Sequence, residues 1–83
     1  MSNNSPMKNG PGVETKQIEI VVNGKSTTVS GGLTVEGLLR ELDVDKTRVA
    51  VELERRIVRR GDWPTTAVAS GAQVEIVQFV GGG

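Results

Sequence analysis

The sequence predicts an α+β domain in which a mixed sheet of four to five strands carries one main helix packed across one face. Three observations predict it. Two stretches compatible with alternation flank Asn23-Gly24, the spacing of a tight hairpin. Val35, Leu38, Leu39 and Leu42 then stand at i, i+3, i+4 and i+7, the period of a helix with a single apolar stripe. Val49–Leu53 and Val74–Val80 return to the pattern of strands, so strands lie on both sides of the helix in the chain.

The elements follow in order. Met1 to about Lys16 is rich in Asn, Ser, Gly and Pro and cannot bury enough surface to offset its ordering entropy, so residues 1–16 are expected to form a disordered leader. Met7 could also initiate the chain. From Gln17, the residues Ile18, Ile20 and Val22 alternate against Gln17, Glu19 and Val21, as a strand with one buried face does. If Asn23-Gly24 forms a two-residue loop, Val22 faces Lys25, Ile20 faces Thr27 and Ile18 faces Val29, which places the apolar positions of both strands on one face.

After Gly31-Gly32, Thr34 is placed to cap the helix, Leu33 to pack on Leu38, and Glu36 to meet the positive end of the helix dipole. Gly37 costs the helix about 1 kcal/mol relative to Ala, unless the sheet approaches closely there. Val49, Val51 and Leu53 form a third strand, and Ile57-Val58 a short exposed one among Arg55, Arg56, Arg59 and Arg60. Those arginines read either as a docking patch for an acidic surface or, preferably, as an edge strand kept soluble by charge with Glu52 and Glu54 nearby. Gly61-Asp62-Trp63-Pro64 is a turn, with Trp63 expected in the core. After Ser70-Gly71 the last strand has apolar residues on both faces, as a central strand buried on both sides does. A hairpin, one helix and a central last strand describe the β-grasp arrangement, with first and last strands parallel and the chain leaving from the middle of the sheet. The domain spans 17–80, followed by a flexible glycine tail at 81–83.

Composition restricts function. At 83 residues, the chain holds one small domain, which buries only about 60–65% of the surface of its unfolded form. Ten Lys plus Arg balance ten Asp plus Glu, so no global field draws it to nucleic acid or to a membrane surface. Cysteine, histidine and tyrosine are absent, which removes thiolate nucleophiles, the usual proton shuttle and the commonest zinc ligands. The expectation is a protein that is not an enzyme, binds no metal and resides in the cytoplasm. The chain closes on Phe79-Val80-Gly81-Gly82-Gly83. Three residues without Cβ atoms can thread a narrow channel and reach about 10 Å beyond the fold. The reactive group is then the carboxyl of Gly83, carried into a partner's active site on Gly81 and Gly82.

These residues resemble the ThiS family of sulfur carrier proteins of thiamine biosynthesis, which are small ubiquitin-like β-grasp domains. The resemblance runs from about Ile18 to Gly83. It is carried by Val22-Asn23-Gly24, Leu33-Thr34-Val35 through Leu38-Leu39 and Leu42, Val49-Ala50-Val51-Glu52, Ile57-Val58 with Arg60 and Trp63, and Val74-Glu75-Ile76-Val77 leading to the closing glycines. It implies that Gly83 is adenylated and converted to a thiocarboxylate that donates sulfur to the thiazole ring. The implied partners are an E1-like adenylyltransferase of the ThiF type, a thiazole synthase of the ThiG type and a sulfur donor such as a cysteine desulfurase. No cofactor is implied on the carrier itself, and ATP is used by the activating enzyme. Val21, Phe79 and Val80 are candidate docking residues, with a core role for Phe79 left open. Gly71-Ala72, Glu54-Arg55 and the leader depart from the family pattern. Two alternatives share the tail: the small subunit of molybdopterin synthase, disfavoured because Gln78-Phe79-Val80 lacks proline, and a ubiquitin-like modifier joined to lysine through Gly83. An interaction module with an incidental glycine end is a third.

Overall fold

The computed structural model describes residues 16–80; the expected leader, apart from Lys16, and the tail Gly81, Gly82 and Gly83 lie outside the described residues. The described chain runs β1 (Gln17–Val22), β2 (Lys25–Ser30), α1 (Val35–Glu41), β3 (Val49–Leu53), β4 (Arg56–Val58) and β5 (Gln73–Gln78), with short 3-10 turns at Lys46–Arg48 and Arg60–Asp62. The five strands make one sheet in the order β2-β1-β5-β3-β4. β1 and β2 are antiparallel in the register the turn predicts, Val22 opposite Lys25, Ile20 opposite Thr27 and Ile18 opposite Val29. Asn23 and Gly24 both take positive φ, 51° and 79°, the backbone of a type I′ hairpin. β1 and β5 pair in parallel through Val21–Gln73 and Val22–Val74, while β3 is antiparallel to both β5 and β4.

α1 crosses one face of the sheet and buries Val35, Leu38 and Leu39, with Leu42 packed against the same core. It has only seven residues, too few to persist without tertiary contacts, so packing holds it. Thr34 caps it by accepting a hydrogen bond from the Gly37 N–H at 3.2 Å. Its end is a Schellman motif without glycine. Asp43, at φ 60°, takes the left-handed position, the Val44 N–H donates to the Leu39 carbonyl and the Asp43 N–H to that of Arg40. The space beside Gly37 is filled by Leu33 and not by the sheet. A Cβ there would stand 3.2 Å from the Leu33 Cδ2, so the leucine expected to staple Leu38 lies over the glycine.

Two expectations change. β5 is central because it pairs on both edges, yet it is not buried on both sides. Val74 is buried and Ile76 half-buried toward the helix, whereas Val77 is 52% exposed on the other face. Pairing fixes a strand's place in a sheet, and burial of its second face needs a second layer that one short helix does not supply. β5 also ends at Gln78, since β3 begins opposite it at Val49, so Phe79 and Val80 lie past the ladder. Phe79 is 56% exposed and is therefore not part of the core.

Trp63 is 3% exposed, and β4 is the edge strand expected. The glutamates near the arginines do not pair with them. Among the described residues the one ion pair is Lys46 with Glu36, and Glu54 instead accepts the Gln73 N–H at 3.0 Å. Glu54 and Arg55 form the β3–β4 turn at φ 52° and 68°, a left-handed conformation in which a Cβ costs about 1–2 kcal/mol. Replacing Arg55 with Gly is expected to raise stability by about 1 kcal/mol, which lifts Tm by about 4–8 °C in a domain of this size. Thermal unfolding followed by circular dichroism measures it. The same change at Glu54 should gain less, because it removes the bond to Gln73.

Candidate functional site

The site begins where the chain leaves the sheet. β5 runs parallel to β1 and outlasts it, because β1 turns into the hairpin after Val22. On the β3 edge, the Phe79 N–H donates to the Arg48 carbonyl at 2.8 Å. On the β1 edge, the Asn23 N–H donates to the Val74 carbonyl at 2.8 Å. The Asn23 carboxamide then takes both main-chain groups of Ile76, its Oδ1 accepting from the N–H at 2.7 Å and its Nδ2 donating to the carbonyl at 3.2 Å. Val80 is 92% exposed, so the chain reaches solvent directly from the middle of the sheet. The sequence marks Asn23 as a turn residue only; that its side chain also holds a strand 53 positions away follows from the parallel pairing of β1 with β5.

The sheet face opposite α1 carries the exposed apolar groups. Strand alternation puts Glu75, Val77 and Phe79 on this side, and the register sets Ala50 across from Val77 and Ile57 across from Glu52. Ile57 is 74% exposed. Glu52 lies directly opposite Glu75, a like-charge pair that costs the sheet something in isolation. Of the candidate docking residues, Phe79 and Val80 stand together at the exit. Val21 does not join them. It is half-buried and pairs with Gln73, six positions up β5 from Phe79, or about 20 Å along the strand. Val77, Ala50 and Ile57 were not among the candidates. The parity that separates them from Val74, Val51 and Val58 was available in the sequence, but only the strand pairing shows that they meet.

A groove of about 380 Å³ between the end of α1 and the Lys46–Arg48 turn is lined by Glu36, Leu39, Arg40 and Asp43 to Thr47. Its Glu36 and Lys46 are paired at 3.0 Å. Asp45 caps the turn, and hydrogen bonds from the Thr47 hydroxyl and then its N–H hold the carboxyl below the usual carboxylate range. These groups stabilise one another, Glu36 pairing with Lys46 and the Thr47 hydroxyl, the one hydroxyl side chain of the lining, donating to Asp45 at 2.6 Å. No helix among the described residues is long and apolar enough to cross a membrane.

A family model, the ThiS family, matches residues 12–83. A thiazole synthase of Paramagnetospirillum magneticum is 44% identical over 66 residues, which are 80% of this chain and only 20% of that protein. The sulfur carrier protein ThiS of Escherichia coli is 30% identical over 66 residues, 80% of this chain and 100% of its own length. The crystal structure of the thiamine biosynthesis protein ThiS from Geobacter metallireducens matches the fold with a TM-score of 0.69 at 39% identity, over 80% of this chain and 100% of that one. The ubiquitin-like β-grasp fold is thus the one observed.

Proposed function

Because the chain belongs to the ThiS family, the sulfur carrier proteins of thiamine biosynthesis, we propose that Gly83 bears the carboxylate that is adenylated and then converted to a thiocarboxylate. The observation that carries this reading is the emergence of β5 from the centre of the sheet at a fully exposed Val80, directly before residues with no side chains. A terminal carboxyl titrates near 3.3–3.7, so at neutral pH it is an anion and resists nucleophiles. Attack by that anion on the α-phosphate of ATP releases pyrophosphate and leaves an acyl adenylate. Hydrosulfide displaces AMP to give the thioacid directly, whereas a persulfide donor gives an acyl disulfide whose S–S bond a thiol then reduces; either way the thioacid ionises to a nucleophile of its own. None of these steps needs a side chain of the carrier, in accord with a chain that has neither His nor Cys.

The activating partner in this reading is an E1-like adenylyltransferase of the ThiF type, which uses the ATP, with sulfur supplied by a donor such as a cysteine desulfurase. The similarity to a thiazole synthase, of which the chain spans a fifth, supports an enzyme of the ThiG type as the acceptor. In this reading the exchange takes place in the cytoplasm, where ATP is at hand. Gly81 and Gly82 would occupy the entrance of each partner's active site, and the exposed Phe79 and Val80 would meet its rim, with Val21 outside that contact.

Intact-mass spectrometry tests the proposal. Protein purified from its own cells is expected to end at Gly83, and incubation with ATP, the cognate activating enzyme and a sulfur source is expected to replace one oxygen of the last residue by sulfur. An unchanged mass would overturn the reading. Covalent adducts on denaturing gels would instead favour a protein modifier, and loss of molybdoenzyme activity on gene deletion, without a thiazole requirement, the molybdopterin alternative.

A further inference from the structure

The exit strand is held on its β1 edge by a side chain. β1 supplies main-chain partners to β5 only as far as the Asn23 N–H, which bonds the Val74 carbonyl, and the backbone then reverses into the hairpin. The next main-chain groups on that edge belong to Ile76. A carboxamide has one carbonyl and one N–H face, the same pair a peptide unit offers, and Asn23 presents both to Ile76 at 2.7 and 3.2 Å. The side chain continues the ladder where the main chain has left it. Beyond Ile76 the ties are all on the opposite edge, where Val77 and Gln78 pair with Ala50 and Val49 of β3 and the Phe79 N–H donates to the Arg48 carbonyl.

We propose that Asn23 is a positioning residue for the reaction, holding β5 against the sheet at Ile76 so that the closing glycines leave along one direction toward the activating enzyme. This inference rests on the carrier reading given above. A tethered reactive group benefits from its tether only while the tether's root is fixed, and a root that frays spreads the carboxylate over a wider volume. Asn also suits the positive φ of 51° at this turn, which would be reason enough for its presence. The two roles separate on substitution. Gly at position 23 keeps the left-handed turn without strain and removes the carboxamide, so a mere turn residue would be replaced without consequence.

The experiment compares the full-length chain with Asn23→Gly. With ATP and the activating enzyme, pyrophosphate release is measured against carrier concentration, and amide exchange is followed at Ile76 and, as a reference in the helix, at Leu38. Loss of the two bonds is expected to speed exchange at Ile76 by about tenfold and leave Leu38 unchanged. The kcat for adenylation should fall by about tenfold with KM within about twofold, since docking is retained and delivery is not. If circular dichroism shows Asn23→Gly to be unfolded, Asn23→Asp serves. It tolerates the turn but sets a carboxylate oxygen against the Ile76 carbonyl, and the same split is expected. An unchanged kcat, with or without faster exchange, overturns the inference while leaving the carrier reading intact, as does a rise in KM alone. A wild-type chain that is not adenylated at all overturns the carrier reading first and this inference with it.

Discussion

Removing Gly82 and Gly83 is expected to abolish sulfur loading while leaving the unfolding midpoint where it was. The core runs from Ile20 to Val74 with half-buried neighbours no later than Ile76, and the Phe79–Arg48 hydrogen bond closes the described ladder. Two terminal glycines remove no side chain from that core, so stability has no route by which to change. Reach changes greatly. Each extended residue spans about 3.3–3.6 Å, so the shortened chain presents its carboxylate about 7 Å short of the nucleotide. Effective molarities of well-placed groups reach about 10⁵–10⁸ M, and a group withdrawn by that distance forfeits most of the advantage; adenylation should fall by at least about 10³-fold. Gly82→Val keeps the length and adds only a branched Cβ, and is expected to lose about 10²-fold, which separates reach from width. Pyrophosphate release with the activating enzyme gives both numbers. Growth without added thiazole, in cells whose sole carrier is the truncated chain, would refute the assignment of the reactive carboxyl to Gly83.

The two kinds of information differed in how far the sequence carried them. Period and turn chemistry are local, and they gave the hairpin register from Asn23-Gly24 and the stripe on α1, while the parallel neighbour of β1 followed from the β-grasp arrangement that the elements describe together. The helix end was less legible, because Asp43 fills a left-handed position usually marked by glycine. Burial was legible only in part. Val77 and Phe79 look like core residues by composition, and their exposure follows from a second sheet face that the described chain leaves uncovered. The placement of Val21 away from Phe79 likewise depends on a register between strands far apart in sequence. The glycine tail was visible as residue type and the chemistry proposed for it came from the family resemblance, whereas the two bonds from Asn23 to Ile76 were not visible, because they depend on the register between β1 and β5.

Trp63→Ala is expected to cost about 3–5 kcal/mol, the usual range for emptying a buried Trp site. A domain of this length is stabilised by about 4–12 kcal/mol in total, so much of the native population is at risk. The reason lies in how many pieces meet at this ring. Trp63 is 3% exposed within the core, its Nε1–H donates to the Val58 carbonyl at 2.9 Å, and its own carbonyl accepts the Glu36 N–H at 3.1 Å in the first turn of α1. Arg60 lies over the ring with its guanidinium carbon 4.7 Å from the centroid and also donates to the Lys46 carbonyl. The ring therefore joins edge strand β4 to the Arg60–Asp62 turn within the core, while the main-chain carbonyl that meets the start of the helix is kept in the variant. Trp63→Phe retains most of the apolar bulk and leaves the Val58 carbonyl without its donor, so a loss of about 1–3 kcal/mol is expected. Urea unfolding followed by far-ultraviolet circular dichroism measures both, since the substitution removes the only tryptophan fluorophore. The midpoint should move with the slope unchanged if the native and unfolded states keep their compactness. A midpoint for Trp63→Ala equal to that of the parent would mean that the ring is not what ties these elements together. Functional loss in this variant should follow the unfolded fraction, in contrast to the tail variants, which should lose loading while fully folded.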